Sequence, residues 1–286
     1  MPFLVIPYPI IDPIAIEIGP LAIRWYGLAY MAGILFGWLY GRYLISRADL
    51  WDGKPPMTVS QGDDFLLWIT LGIVVGGRLG FVLFYEPSYF WENPLEIPAV
   101  WNGGMSFHGG LLGVVIAVYL FARRNSINPL SLGDVASAAT PFGLFFGRIA
   151  NFINAEVVGR ESNVAWAMVF PGAGDFPRHP SQLYEAALEG VVLFVILAVA
   201  TWRYKALTRP GTIFGLFLIF YGIFRSLVEL VREPHLGHPL DIGILTPGIL
   251  YSIPMILIGA WLIWRARTKP LFAGFAHDAE RKDKTA

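Results

Sequence analysis

Seven stretches of this chain, at about 21–45, 64–85, 109–122, 133–152, 183–202, 211–231 and 244–264, are built almost wholly of apolar residues. A bilayer core of roughly 30 Å takes about 20 residues of helix to cross. Inside it, each segment must satisfy its own backbone N–H and C=O groups. Blocks of this length and spacing therefore predict an all-α, polytopic integral membrane protein with about seven transmembrane helices. Only 15% of the residues are charged, where a soluble domain carries about a quarter. No separate soluble domain is evident. Residues 1–286 read as a single membrane domain: an outer-face segment over 1–20, a seven-span bundle over 21–265 and a cytoplasmic tail over 266–286. A loop region is expected around 155–180. The third stretch, within HGGLLGVVIAVYLF, is short and glycine-rich, so an irregular start is expected there.

Lys and Arg placement sets orientation. Alternate connections hold 14 of the 21 basic residues, including every lysine, while the segment before the first span and the one at 86–107 hold none. The N-terminus is thus expected outside and the C-terminus in the cytoplasm. The remaining basic residues are Arg24, Arg78, Arg148, Arg160, Arg178, Arg225 and Arg232, all toward the outer side. Arginine offers a planar, permanently charged fork suited to phosphate or carboxylate. A set of them near the outer leaflet points to an anionic ligand, and a phospholipid headgroup is the nearest. The first twenty residues lack the basic start of a signal peptide and are broken by Pro and acidic residues. Cysteine is absent, which removes disulfides, a thiolate nucleophile and Cys metal ligation.

Much of the glycine reads as packing. Gly33, Gly37 and Gly41 repeat every four residues, as do Gly72, Gly76 and Gly80, then Gly143 and Gly147, then Gly211 and Gly215. Small residues at this spacing let helix backbones approach closely. Charges inside a span are costly and read first as functional. In YGIFRSLVELVREP, the residues Tyr221, Arg225, Glu229 and Arg232 fall on one helix stripe. An Arg225–Glu229 ion pair holding the bundle is the structural alternative. Two arginines to one glutamate on that stripe leave positive charge over. Arg78, in GGRLGFVLFYEP, is either a ligand residue or a helix-pairing arginine. Arg24 is ordinary at an interface, and Tyr26 after it would point its hydroxyl into the bundle. His108, in NGGMSFHGGLLG, is either a hydrogen-bonding core residue or a group for proton transfer or ligand positioning. The densest polar stretch is GRIANFINAEVVGR, with Arg148, Asn151, Asn154, Glu156 and Arg160 directly after the uncharged run Val135 to Gly147.

GRIANFINAEVVGR closely resembles the signature of the prolipoprotein diacylglyceryl transferase family. IRWYGLAY, GGRLGFVLFY, NGGMSFHGGLLG, HPSQLYEAALEG and FRSLVELVREP are similar to that family in the same order, over about residues 20–265. Ala150 stands where the family more often has Gly, and it is still small. The resemblance implies an enzyme of the bacterial inner membrane, active toward the outer leaflet. It would transfer the diacylglyceryl group of phosphatidylglycerol to the lipobox cysteine thiol of a lipoprotein precursor, forming a thioether and releasing glycerol 1-phosphate. The partners implied are phosphatidylglycerol and lipoprotein precursors; no nucleic acid, cofactor or metal is expected. Catalytic roles are implied for His108, as base or positioner of the thiol, and for Arg148, Arg225 and Tyr26. Lipid binding is implied for Arg148, Asn151, Asn154, Glu156, Gly159 (as a tight turn), Arg160, Tyr221, Glu229, Arg232 and Arg78.

Three rivals predict different sequences. A transporter or binding protein for an anionic lipid or solute would show an inverted repeat and polar residues through both membrane halves. A structural scaffold has no need of uncompensated arginines on one side. Another headgroup transferase would carry carboxylate clusters for Mg²⁺.

Overall fold

In the computed structural model of this chain, residues 6–19, 21–233 and 246–268 are described. The chain is mostly helical. Two short strands, β1 (Ile6–Pro7) and β2 (Ile14–Ile18), precede β3 (Leu21–Arg24), which runs into α1 (Trp25–Ser46). There follow α2 (Val59–Phe84), α3 (Pro87–Glu92), α4 (Phe107–Arg124), α5 (Pro129–Ile153) and β4 (Met168–Val169). The next helix, Ser181–Tyr204, is continuous but mixed: α6 (Ser181–Glu185), a π-helical stretch (Ala186–Val192) and α7 (Leu193–Tyr204). Last come α8 (Thr212–Glu229) and α9 (Pro247–Thr268).

Six helices among the described residues are long and apolar enough to cross a membrane. The remaining expected span corresponds to α5, which at 25 residues has ample length. Its apolar content is diluted by Ser131, Asp134, Ser137, Thr140, Arg148 and Asn151. Most of the expected cytoplasmic tail, from residue 269 onward, lies outside the described residues. The expected outer-face segment contains strands that the sequence pattern did not disclose. β1 pairs in parallel with β4, and β2 and β3 form an antiparallel hairpin.

The described residues divide into two compact units, one within 6–41 and 134–268 and the other within 42–133. In the second unit, Thr58 caps α2 in a reciprocal capping box with Gln61, and Ser106 caps α4. α2 and α4 pack glycine against glycine. A Cβ at Gly76 would meet Gly113 Cα at 2.8 Å and the Gly109 carbonyl closer still, and one at Gly80 would meet Gly109 Cα at 2.7 Å. Gly109 and Gly110 therefore sit in regular helix, and α4 starts cleanly at its cap. The left-handed backbone next to this start lies at Gly103 and Gly104, before the cap.

In the first unit, a Cβ at Gly33 would meet Gly143 Cα at 3.0 Å, so α1 and α5 also meet at small residues. α8 and α9 do the same at Gly215 and Gly259. Gly147 has open space beside it, and Gly211 serves as the N-cap of α8 with φ of 92° rather than as a helix contact. That N-terminus is completed from another helix. The buried Asp134 carboxylate of α5 accepts from Gly211 N at 2.7 Å and Phe214 N at 2.8 Å, satisfying donors that a helix start leaves open.

Candidate active site

The last two turns of α5 carry Arg148 and Asn151, and the helix then stops abruptly. Glu156 N donates to Asn151 O at 2.9 Å and Ala155 N to Phe152 O at 3.0 Å. This is a Schellman ending with Ala155 at the left-handed position, φ of 54°, where glycine is usual. Val157 follows at φ of 57°, an uncommon conformation for a β-branched residue. Such backbone persists only where its surroundings fix it. Ser181 Oγ donates to Val157 O at 2.9 Å, and Gln182 Nε2 donates to Glu156 O at 2.5 Å, both from the wholly buried start of α6. From the N-terminal segment, Tyr8 Oη is placed 2.6 Å from Phe152 O and 2.9 Å from Ile153 O. Burial raises the Tyr8 pKa, so the hydroxyl remains a donor.

Gly159 is required for space. Its N donates to His179 O at 3.0 Å, and an added Cβ would come within 2.7 Å of both the His179 and Val231 carbonyls. Its φ lies outside the left-handed region, so the tight-turn expectation gives way to close backbone approach. Here the 159–161 segment is clamped between residues 178–179 and 231–232. Arg160 N donates to Val231 O at 2.8 Å and its Nε to Arg232 O at 2.8 Å, leaving Arg160 exposed at the rim.

Between these supports lies a charge cluster. Arg148 Nε is 3.1 Å from Glu185 Oε2, and its Nη2 is 3.6 Å from Glu189 Oε2. Arg232 Nη1 donates to Glu185 Oε1 at 2.9 Å. Arg225 Nη1 is 2.5 Å from Glu229 Oε2 and 4.0 Å from Glu185 Oε1. Tyr221, one turn before Arg225, lies within electrostatic reach of Arg148, Arg225, Glu185 and Glu189. A Cβ at Gly248, in the first turn of α9, would meet Glu229 Oε2 at 2.7 Å. A helix start beside that carboxylate favours its charge.

The ion pair expected as the alternative for Arg225 and Glu229 is therefore present. Among the described residues the expected surplus of positive charge is not: three guanidiniums face three carboxylates. Glu185 and Glu189 supply the difference. Both lie in the stretch HPSQLYEAALEG. Two carboxylates four residues apart in an apolar span were the available signal. The arrangement is layered. The side chains of Arg148, Arg225 and Arg232 keep 19%, 15% and 13% exposure, whereas Glu185, Glu189 and Glu229 keep 0%, 0% and 6%. The guanidiniums keep an open edge, and the carboxylates are closed off beside them.

Other expected site residues fall around or apart from this cluster. Asn151 Nδ2 donates to Glu156 Oε2 at 3.2 Å. Asn154 lies half-buried in the loop. Tyr26 Oη is 3.5 Å from Tyr30 Oη at the start of α1, and Tyr30 feels the charges of Arg148 and Glu156. Arg78 and His108 belong to the other unit. Arg78 is buried and its fork is committed to a loop: it donates to the carbonyls of Ile97 at 2.7 Å, Glu96 at 2.8 Å, Gly103 at 2.5 Å and Gly104 at 3.2 Å. Those bonds shape the turn that delivers His108, which is exposed in the first turn of α4. His179, beside Gly159, has its pKa lowered by partial burial.

The chain matches the family described as prolipoprotein diacylglyceryl transferase over residues 13–265. It is similar to three proteins each named phosphatidylglycerol–prolipoprotein diacylglyceryl transferase. That of Nitrobacter winogradskyi is 55% identical over 266 residues, covering 92% of this chain and 91% of the relative. That of Rhizobium meliloti is 55% identical over 267 residues, covering 92% and 95%. That of Phenylobacterium zucineum is 54% identical over 272 residues, covering 91% and 94%.

Proposed function

This chain belongs to the prolipoprotein diacylglyceryl transferase family, and on that premise we propose how its charge cluster carries the reaction. The enzyme is a multi-pass protein of the inner membrane that transfers the diacylglyceryl group of phosphatidylglycerol to the lipobox cysteine of a lipoprotein precursor. A C–S bond forms at an sp³ glycerol carbon while that carbon's C–O bond to phosphate breaks. No tetrahedral oxyanion arises. The charge that develops is on the leaving phosphate, which goes from one negative charge in the diester toward two in glycerol 1-phosphate. Donors that bind this charge more strongly as it grows lower the barrier.

The layered cluster supports the assignment of that role to Arg148, Arg225 and Arg232. Glu185, Glu189 and Glu229 hold the forks in place from behind, and Gly248 leaves room for the Arg225–Glu229 pair. Tyr221 and Tyr26 supply hydroxyl contacts. Asn151, Asn154 and Glu156 orient the free headgroup hydroxyls, and Arg160 with Gly159 fixes the rim. His108 meets the incoming cysteine and orients its thiol. Arg78 acts on the lipid indirectly, through the loop it holds. Residues 1–286 act as one membrane domain, with the N-terminus outside, the C-terminus in the cytoplasm and the cluster toward the outer leaflet. The asymmetry of lysine and arginine supports that orientation.

The observation carrying this reading is the set of three partly open guanidiniums over three closed carboxylates. Arg148→Lys tests it. Removing the arginine outright would leave the buried Glu189 without the guanidinium it approaches, which costs about 3–5 kcal/mol. Lysine keeps the charge and loses the fork. The variant is expected to fold and bind precursor peptide, and to lose about 10²–10³ of its transfer rate. Transfer at the parental rate would remove Arg148 from phosphate recognition.

A further inference from the structure

The cluster is formally neutral before any lipid arrives, and the reaction makes it less so. Diester binding adds one negative charge and conversion to the monoester adds a second, beside carboxylates that already match the arginines. Over the same step the attacking thiol gives up a proton. The three carboxylates differ in how firmly they are held. Glu185 approaches Arg148, Arg225 and Arg232 within 4.0 Å. Glu229 lies 2.5 Å from Arg225 and against the start of α9. Among the described residues Glu189 approaches only Arg148, at 3.6 Å, too long for a hydrogen bond. It is wholly buried, and neither of its oxygens has a hydrogen-bond partner among the described residues.

Its backbone setting is also unusual. Glu189 lies in the π-helical stretch Ala186–Val192, a geometry that is rare and concentrates at functional sites. The residues after it, Gly190 and Val191, line an apolar pocket of about 270 Å³ with Phe36, Phe142, Phe145 and Phe194. Among the described residues the charged and titratable groups facing it are Arg148 from α5, Tyr221 and Arg225 from α8, Arg232 beyond α8, and Glu185 on its own helix.

We propose that Glu189 accepts the proton of the substrate cysteine as the phosphate gains its second charge. The S–H bond breaks, its electron pair forms the C–S bond, the C–O pair leaves on glycerol phosphate, and the proton comes to rest on a Glu189 oxygen. The cluster's total negative charge is then unchanged through the step. The proton departs afterward with the phosphate monoester or to water. The inference rests on the phosphate-binding role given to this cluster above.

The test is steady-state transfer by Glu189→Gln and Glu189→Asp in phosphatidylglycerol vesicles, with lipobox peptides carrying cysteine or selenocysteine. A selenol is more acidic than a thiol and is largely ionised at neutral pH, so it needs no acceptor. With the cysteine peptide, Glu189→Gln is expected to lower kcat by about 10²-fold or more, without raising KM for the lipid. Most of that loss should vanish with the selenocysteine peptide. Glu189→Asp, which keeps the charge and is the fallback if the glutamine variant does not fold, is expected to show a smaller loss with the same rescue. Parental kcat in a folded variant would overturn the proposal. So would an equal loss with both peptides, or a higher lipid KM at unchanged kcat, which would leave Glu189 as a support for Arg148. Failure of the unsubstituted protein to transfer at all would instead overturn the role given to the cluster.

Discussion

His108→Gln separates orienting the thiol from taking its proton. If the imidazole only orients, the rate should fall by up to about 10²-fold while the pH–rate profile keeps its shape. Loss of one limb of the profile would make His108 the base and displace Glu189. At this scale the sequence was most readable where a residue contradicted its surroundings. Arg148 and Arg225 stand out in apolar spans, and both fall in the cluster. Glu185 and Glu189 stand out by the same rule, but a carboxylate near a span's end passes easily for part of the flanking loop. Arg78 was equally conspicuous, yet its donors go to backbone carbonyls, a use that residue type alone does not distinguish from anion binding. The need for glycine at Gly159 comes from His179 and Val231, neighbours far along the chain.

Helices follow from hydropathy and from small-residue spacing, and both were legible. The Gly72, Gly76, Gly80 row on α2 meets Gly109 and Gly113 on α4. A Gly76→Ala substitution must force that seam apart and should cost about 1–3 kcal/mol, read as a lower midpoint of thermal unfolding in detergent. A stability equal to the parent's would mean that α2 and α4 are held elsewhere. The same glycines suggested an irregular start to α4, because spacing alone does not separate a flexible glycine from a packed one; the Ser106 cap resolves it. The π-helical stretch had no signal in residue type. It is a matter of hydrogen-bond register, set by what the helix packs against. The strands β1 and β4 were equally hidden, since a two-residue parallel pairing between distant segments leaves no periodicity to read.

At the scale of the molecule, a membrane bundle and an anionic ligand were both readable from where charge is scarce and where arginine gathers. The charge balance was not, because it depends on which helices bring their glutamates to the arginines. The consequence is chemical: in the proposed phosphate-binding role, a formally neutral cluster takes on one negative charge with the diester and a second as the reaction proceeds, which suits a catalyst better than a tight receptor. On the proposed reading, the cluster promotes transfer at the glycerol carbon. The direct measurement is to incubate purified, folded protein with phosphatidylglycerol and a lipobox peptide, weigh the peptide by mass spectrometry and quantify released glycerol phosphate. A diacylglyceryl mass on the cysteine with an equal amount of glycerol 1-phosphate is the expected result. An unmodified peptide, or free glycerol phosphate without the thioether, would contradict it.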